Sequence, residues 1–279
     1  MIRVVAVVGA LVLATAAAGA SAGASPSQSF SLELGGPHIS IASVHWHPGS
    51  VRIAATSAKG EQELTLIRFR PGYSVAGFLA DGKTIERGGR KGDAAYRRLM
   101  GRTEFLGGVD VFRGEPAAFA ATVHAGVYYL AELNATPLFL RVDVGGARAA
   151  TRSAAVPTIE EYDFGYRVVG GPLPSRGTIT VRNAGRLPHR LNFEPLRTGT
   201  TKAQVAAYLR STGGGPYGPP PPFARRGPEL GTALLGPGRS IQYTYAVPPG
   251  AYGLVSWQKD TPHGKPQALL GMVAVVSLR

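Results

Sequence analysis

The sequence predicts an all-β protein made of two tandem Greek-key β-sandwiches, each with one short helix. The first observation is an internal repeat. Arg70 and Gly72, in ELTLIRFRPGYSVAGFLADG (63–82), match Arg197 and Gly199, in RLNFEPLRTGTTKAQVAAYL (190–209), at an offset of 127. Further on, Gly114, Gly126 and Tyr128 match Gly238, Gly250 and Tyr252 at an offset of 124. A repeat of this length and order means two copies of one domain rather than a short-unit array. The second observation is punctuation, because Gly and Pro bound short alternating or continuous apolar runs, as they do around strands. The third is the regular spacing of those runs within each copy, which is the pattern of a sandwich.

Residues 1–24 read as a secretory signal peptide. Met1-Ile2-Arg3 precedes an apolar run from Val4 to Leu13, and small residues follow around Ala22-Gly23-Ala24. The run is short for a membrane span, which needs roughly 20 apolar residues. The first copy is expected over 29–146, with strands near Phe30–Leu34, Val51–Thr56, Leu64–Phe69, Ala117–Val123, Val127–Leu133 and Leu138–Val144. Its helix begins near Ser74, with Val75, Phe78 and Leu79 facing inward. An extra basic segment follows between Gly82 and Met100, with a small helix at Asp93–Met100.

An Ala/Arg/Ser-containing linker spans 147–159, and the second copy spans 160–279. Its strands are expected near Tyr162–Val169, Thr178–Arg182, Arg190–Glu194, Ser240–Ala246, Ala251–Trp257 and Gly271–Ser277. Thr201 and Gln204 have capping-box spacing, Val205 and Leu209 share a helix face, and Gly213–Gly215 end the run. Pro219–Pro222 reads as a stiff polyproline surface loop. Glu160, Glu161 and Asp163 read as a solvated edge rather than a calcium site, because acids on an extended strand point to different faces. The tyrosines Tyr128, Tyr129, Tyr243, Tyr245 and Tyr252, with Trp257, are expected to pack the core.

The chain has no cysteine, so neither disulfides nor a lipoprotein anchor is available and the cores alone must hold the fold. The formal charge is +13, and the excess is uneven: residues 25–150 carry +3 and residues 151–279 carry +9. This balance favours weak, salt-sensitive attraction to anionic envelope polymers or lipid headgroups, with the second copy as the expected contact surface. No run of five like charges and no aromatic-spaced basic helix supports nucleic-acid binding.

The second copy resembles a cupredoxin-like domain. The residues that carry the resemblance are the Asn183-Ala184-Gly185 turn, the Pro188-His189 pair, Pro249-Gly250-Ala251-Tyr252 leading into a strand, and the terminal Gly271-Met272-Val273. It covers roughly 162–279, and the repeat extends it to the first copy. In cupredoxins a copper ion is held by a His, then by a Cys, a His and usually a Met around the last two strands. Soft thiolate and imidazole suit that electron-transfer site. Carried over residue by residue, the resemblance puts His189 at the first His, Met272 at the axial Met, Ser256 at the Cys and Gln267 at the second His. In the first copy Gln62 matches His189 and Glu132 matches Ser256. A hydroxyl and an amide are weak ligands for copper, so both copies read as scaffolds without a type 1 centre.

Other chemistry is sparse. Six histidines and no cysteine exclude a three-copper oxidase cluster with its electron-transfer site. His45-Trp46-His47 is the only His-x-His pair and sits against the turn signal Pro48-Gly49. The only Gly-x-Ser-x-Gly, Gly19–Gly23, falls in the signal segment, and there is no His-Glu-x-x-His or P-loop. Ser256 beside His189 invites a nucleophile-and-base reading, which an inert hydrogen bond serves better. The expectation is a secreted, non-enzymatic binding or structural module at the cell envelope or outside it, with no cofactor. The alternative is a copper or other metal carrier using residual ligands His189, His263 and Met272.

Overall fold

The structure, a computed structural model, describes residues 28–133, 136–147, 155–213, 221–228, 230–259 and 264–279. The expected signal segment, most of the linker, Pro219–Pro220 and His263 lie outside the described residues. The first copy runs β1 (Gln28–Leu34), β2 (His45–Trp46), β3 (Gly49–Ser57), β4 (Gln62–Phe69), α1 (Val75–Glu86), α2 (Gly89–Arg102), β5 (Thr103–Val111), β6 (Ala117–Val123), β7 (Gly126–Glu132) and β8 (Leu138–Val144). The second runs β9 (Thr158–Tyr162), β10 (Gly165–Val169), β11 (Arg176–Asn183), β12 (Asn192–Leu196), α3 (Lys202–Thr212), β13 (Leu230–Gly231), β14 (Ser240–Ala246), β15 (Gly250–Val255) and β16 (Val273–Leu278).

The two copies contribute to the same two sheets. The seven-stranded sheet has the order β1-β3-β6-β14-β11-β9-β10, and the nine-stranded sheet has β16-β15-β12-β13-β5-β4-β7-β8-β2. The repeat is visible in this order, because β1, β3 and β6 mirror β9, β11 and β14 about the β6–β14 pairing. Both outer pairs, β1 with β3 and β9 with β11, are parallel. At the centre β6 runs antiparallel to β14 with Phe119 opposite Tyr243, and β5 meets β13 with Asp110 opposite Gly231. Matching strands thus pair with each other as they do in a two-fold dimer, here within one chain. The two pairings also cover four sheet edges, β6, β14, β5 and β13, that isolated copies would expose.

Between the sheets the core is built from alternate strand residues, with Trp46, Tyr128, Tyr243, Tyr252, Phe119 and Phe193 all essentially inaccessible. Tyr128 and Tyr252 also fasten the strands they lie on. The Tyr128 hydroxyl accepts from the His124 amide at 3.0 Å, and the Tyr252 hydroxyl donates to the Pro248 carbonyl at 2.8 Å. Both are tyrosine corners closing back four residues, a device of Greek-key folds. An arginine lies over each ring, Arg68 over Tyr128 and Arg225 over Tyr252.

The outer face of the nine-stranded sheet carries the helices. Phe78 and Leu99 of α1 and α2 pack on Ile67, Phe105 and Ala131, and Val205 and Leu209 of α3 pack on Leu196, Val255 and Val273. The capping box at Thr201 forms as the spacing predicts, with Gln204 reciprocating, and the left-handed Gly213 ends α3. Ser74 caps α1. Where one short helix per copy is expected, the first copy has a helical hairpin, because the basic segment after Gly82 folds as the 14-residue α2. Asp81 of α1 holds it by accepting from Tyr73 at 2.7 Å and from Arg98 of α2 through both carboxylate oxygens.

Two other sequence readings need correction. The expected strand Tyr162–Val169 is a hairpin, β9 and β10, turning at Asp163-Phe164. Phe164 has φ of 69°, a left-handed conformation rare for a bulky side chain. Glu160 and Glu161 are also not a solvated edge. Glu160 is mostly buried and bonds Tyr162 and Arg167, whereas Glu161 is fully buried between the sheets. The His45-Trp46-His47 segment starts as the short strand β2, with Trp46 stacked on Phe30 and both imidazoles exposed.

Candidate functional site

Three chain segments converge at one end of the second copy. The first is the loop after β11, shaped by Asn183. Its side-chain amide donates to the Leu187 and Leu235 carbonyls at 2.8 Å each, and its oxygen accepts from the Gly185 amide at 2.8 Å. This places His189, whose backbone is tied to Leu235 in both directions. The second is the end of β15 at Ser256. The third is the short turn Gln267–Leu270, anchored by the Ala268 amide to the Ser256 carbonyl at 2.9 Å. The Met272 amide then donates to the Gln267 carbonyl at 3.0 Å.

The four positions that the resemblance assigned to copper ligands therefore come together, with His189, Ser256, Gln267 and Met272 all at 0% exposure. The side chains of His189, Ser256 and Gln267 bond one another. Gln267 Nε2 donates to the Pro188 carbonyl at 3.0 Å, which turns Oε1 toward the centre. There Oε1 accepts from Ser256 Oγ at 2.9 Å and lies 2.8 Å from His189 Nδ1. Since an amide oxygen can only accept, Nδ1 carries a hydrogen and donates. The other ring nitrogen, Nε2, faces Asp163 Oδ1 at 3.2 Å.

Asp163 comes from the β9–β10 hairpin and closes the network from outside. The same oxygen accepts from the amides of Arg186 at 2.8 Å and Leu187 at 3.1 Å. Partial burial pushes the Asp163 carboxyl up, but these amides and the His189 ring outweigh it and hold it below the usual range. Gly185 is required beneath it. A Cβ there would lie 2.6 Å from His189 Nε2 and clash with Asp163 as well.

Behind the network lies Glu161, whose two carboxylate oxygens have no hydrogen-bond partner. Burial pushes its carboxyl up to about 8, so it is neutral at pH 7. Tyr166 of β10, half-buried and raised well above its ordinary value by desolvation of its hydroxyl, lies opposite it in the β9–β10 pairing and donates to the Arg190 carbonyl at 3.2 Å. Asp163, Glu161 and Tyr166 are the members that sequence reasoning missed. Asp163 and Tyr166 gave no signal in spacing. Glu161 gave one, since it aligns at the 127 offset with Leu34, a core residue at 1% exposure.

The residues do not fit a type 1 copper. His189 Nδ1 is committed to Gln267, and the remaining inner groups are a hydroxyl and an amide. Ser256 and His189 both bond to Gln267 rather than to each other, so the nucleophile-to-base hydrogen bond of a catalytic pair is missing. Among the described residues no three His, Cys, Asp or Glu side chains group as metal ligands. In the first copy Glu132, matching Ser256, is buried and accepts from the Gly35 amide at 3.2 Å.

No family model and no curated protein matches the chain. Its structural neighbours are cupredoxins and copper enzymes with cupredoxin domains. Auracyanin from the photosynthetic bacterium Roseiflexus castenholzii matches at 19% identity and TM-score 0.26, over 44% of this chain and 94% of that one. Copper nitrite reductase from Nitrosomonas europaea matches at 11% identity and TM-score 0.23, over 90% of this chain and 93% of that one. Lac15 from a marine microbial metagenome matches at 12% identity and TM-score 0.26, over 87% of this chain and 66% of that one. The protein is a cysteine-free β-sandwich of two sheets.

Proposed function

We propose that the chain is a secreted, non-enzymatic binding module of the cell envelope that works without a type 1 copper site. The observation that carries this reading is the closed hydrogen-bond network of His189, Gln267 and Ser256 at the position the resemblance gives to copper. A polar cluster whose members satisfy one another is inert and rigid, and it leaves the surface as the working part of the molecule. The layout of residues 1–24 supports secretion, and the +13 charge supports contact with anionic envelope material. Copper titration of the full chain beside His189→Ala tests the reading, which expects equal uptake by both proteins. One equivalent of copper held by the native chain and lost in the variant would replace it with a carrier built on His189, His263 and Met272.

A further inference from the structure

The positive charge of the first copy is concentrated in one place. Residues 75–102, the α1–α2 hairpin, hold seven Lys and Arg against three Asp and Glu, while the rest of 25–150 has one more acid than base. On α2 the buried side is Gly92, Ala95 and Leu99, with Tyr96 beside it reaching the Lys259 carbonyl at 3.1 Å. At about 100° per residue, the arc that runs from opposite this side round to its edge presents Arg97, Arg90, Arg98, Lys91 and Arg102, with only Ala94 and Gly101 between them and the part-buried Asp93 flanking it beside Arg97. Elsewhere the arginines are often neutralised by ion pairs, as Arg141 is by Asp143, Arg167 and Arg182 by Glu160, Arg190 by Asp110 and Glu63, and Arg239 by Glu104. On the hairpin Lys83, Arg87, Arg90, Lys91 and Arg97 are exposed and form no salt bridge among the described residues.

We infer that this face of the α1–α2 hairpin is an interaction surface for an anionic phospholipid membrane, which it touches without insertion. The inference rests on the envelope-binding reading above and moves the contact from the more basic second copy to the first. The chemistry favours lipid headgroups in two ways. Arginine binds phosphate in a bidentate fork, and the small residues between the cations let several headgroups approach at once. The arc has no large apolar side chain that would enter hydrocarbon and no aromatic side chain on which a base would stack. The hairpin is also firmly mounted, since Arg98 locks it to buried Asp81 and its apolar side packs on the sheet. The cations therefore stand on a rigid platform facing away from the sheet.

The experiment is co-sedimentation of the full chain with phosphatidylglycerol-containing vesicles and with pure phosphatidylcholine vesicles, across a salt series. Each basic side chain near an anionic surface strengthens binding about fivefold, so Arg90→Gln/Lys91→Gln/Arg97→Gln is expected to weaken it on the order of a hundredfold. All three sites are exposed, and an unchanged melting temperature verifies that the fold is intact. The control, Arg176→Gln/Arg186→Gln/Arg210→Gln, removes the same charge from exposed sites of the second copy and is expected to bind nearly as well as the native chain. If the control loses binding and the hairpin variant keeps it, the hairpin inference fails and the envelope reading survives. Binding to soluble polyphosphate without binding to vesicles overturns the choice of lipid. Binding to neither overturns both.

Discussion

Replacing Glu161 by leucine is expected to stabilise the protein, and to do so far more at pH 8 than at pH 5. The native carboxyl is fully buried and unpartnered, which raises it from 4.5 to about 8. Between those values the folded chain keeps a proton that the unfolded chain loses. The contribution to stability is thus complete below pH 4.5 and is lost as pH rises, at ~1.4 kcal/mol per pH step, levelling off above about 8. The whole loss is on the order of 5 kcal/mol, a large share of the stability of any domain. Leucine fits the environment, since Leu34 fills the matching position of the first copy at 1% exposure. Urea unfolding of both proteins from about pH 5 to 9 measures the effect through the linkage slope. Burial also raises the Asp110 carboxyl, so the native slope is shared, but the difference between the two proteins isolates Glu161. Parallel stability curves across this range would refute the reasoning.

Arg190→Gln should cost about 3 kcal/mol, the low end for breaking a buried pair because this arginine side chain is 24% exposed. It leaves Asp110 and Glu63, cross-strand neighbours on β5 and β4 of the first copy, without the cation that the second copy supplies, and adding Asp110→Asn should recover part of the loss in a double-mutant cycle. Gly231→Ala should destabilise by about 1–3 kcal/mol in thermal melts, because its Cβ would run into Asp110 Oδ2 and lie 3.0 Å from Asn192 Nδ2. Thr201→Ala removes the cap of α3 and should cost about 1 kcal/mol by the same assay. Mass spectrometry of the culture medium should find the protein there as a mature chain beginning near Ser25, and the full-length chain found only inside the cells would contradict the signal-peptide reading.

Much of the fold was legible because it lay in local chemistry. Strands such as Ala117–Val123 and Leu138–Val144 are short apolar runs between turn residues, and they fall where their composition puts them. The capping box at Thr201 carries its own geometry. The hairpin at Asp163-Phe164 was not legible, because no Gly or Asn marks its left-handed residue and the flanks join into one apparent strand. Strand β5 was missed because Gly107-Gly108 interrupts its apolar run, and both glycines are there for close approach. A Cβ on Gly107 would press on Ile241 and Leu235, and one on Gly108 would meet the backbone of Leu64 and Thr65. Since β5 is the strand that meets β13, the joining of both copies into shared sheets was hidden with it.

The candidate site divides along the same line. His189, Ser256, Gln267 and Met272 were placed by the motifs around them, and the structure brings these four positions together. Asp163 and Glu161 were misread because a strand's faces are assigned only once its partners are known, and β9 is buried on the side that carries Glu161. The resemblance named positions 189, 256, 267 and 272 without showing that Gln267 would turn its oxygen inward and occupy His189 Nδ1.

The measurement that bears most directly on the central claim is the metal content of the protein purified from its native cells and their medium. A sandwich in which the His189–Gln267–Ser256 network closes the positions that the resemblance gives to copper ligands should carry far less than one copper per chain and show no thiolate-to-copper absorption. One tightly held copper per chain, absent from the His189→Ala protein, would contradict the account.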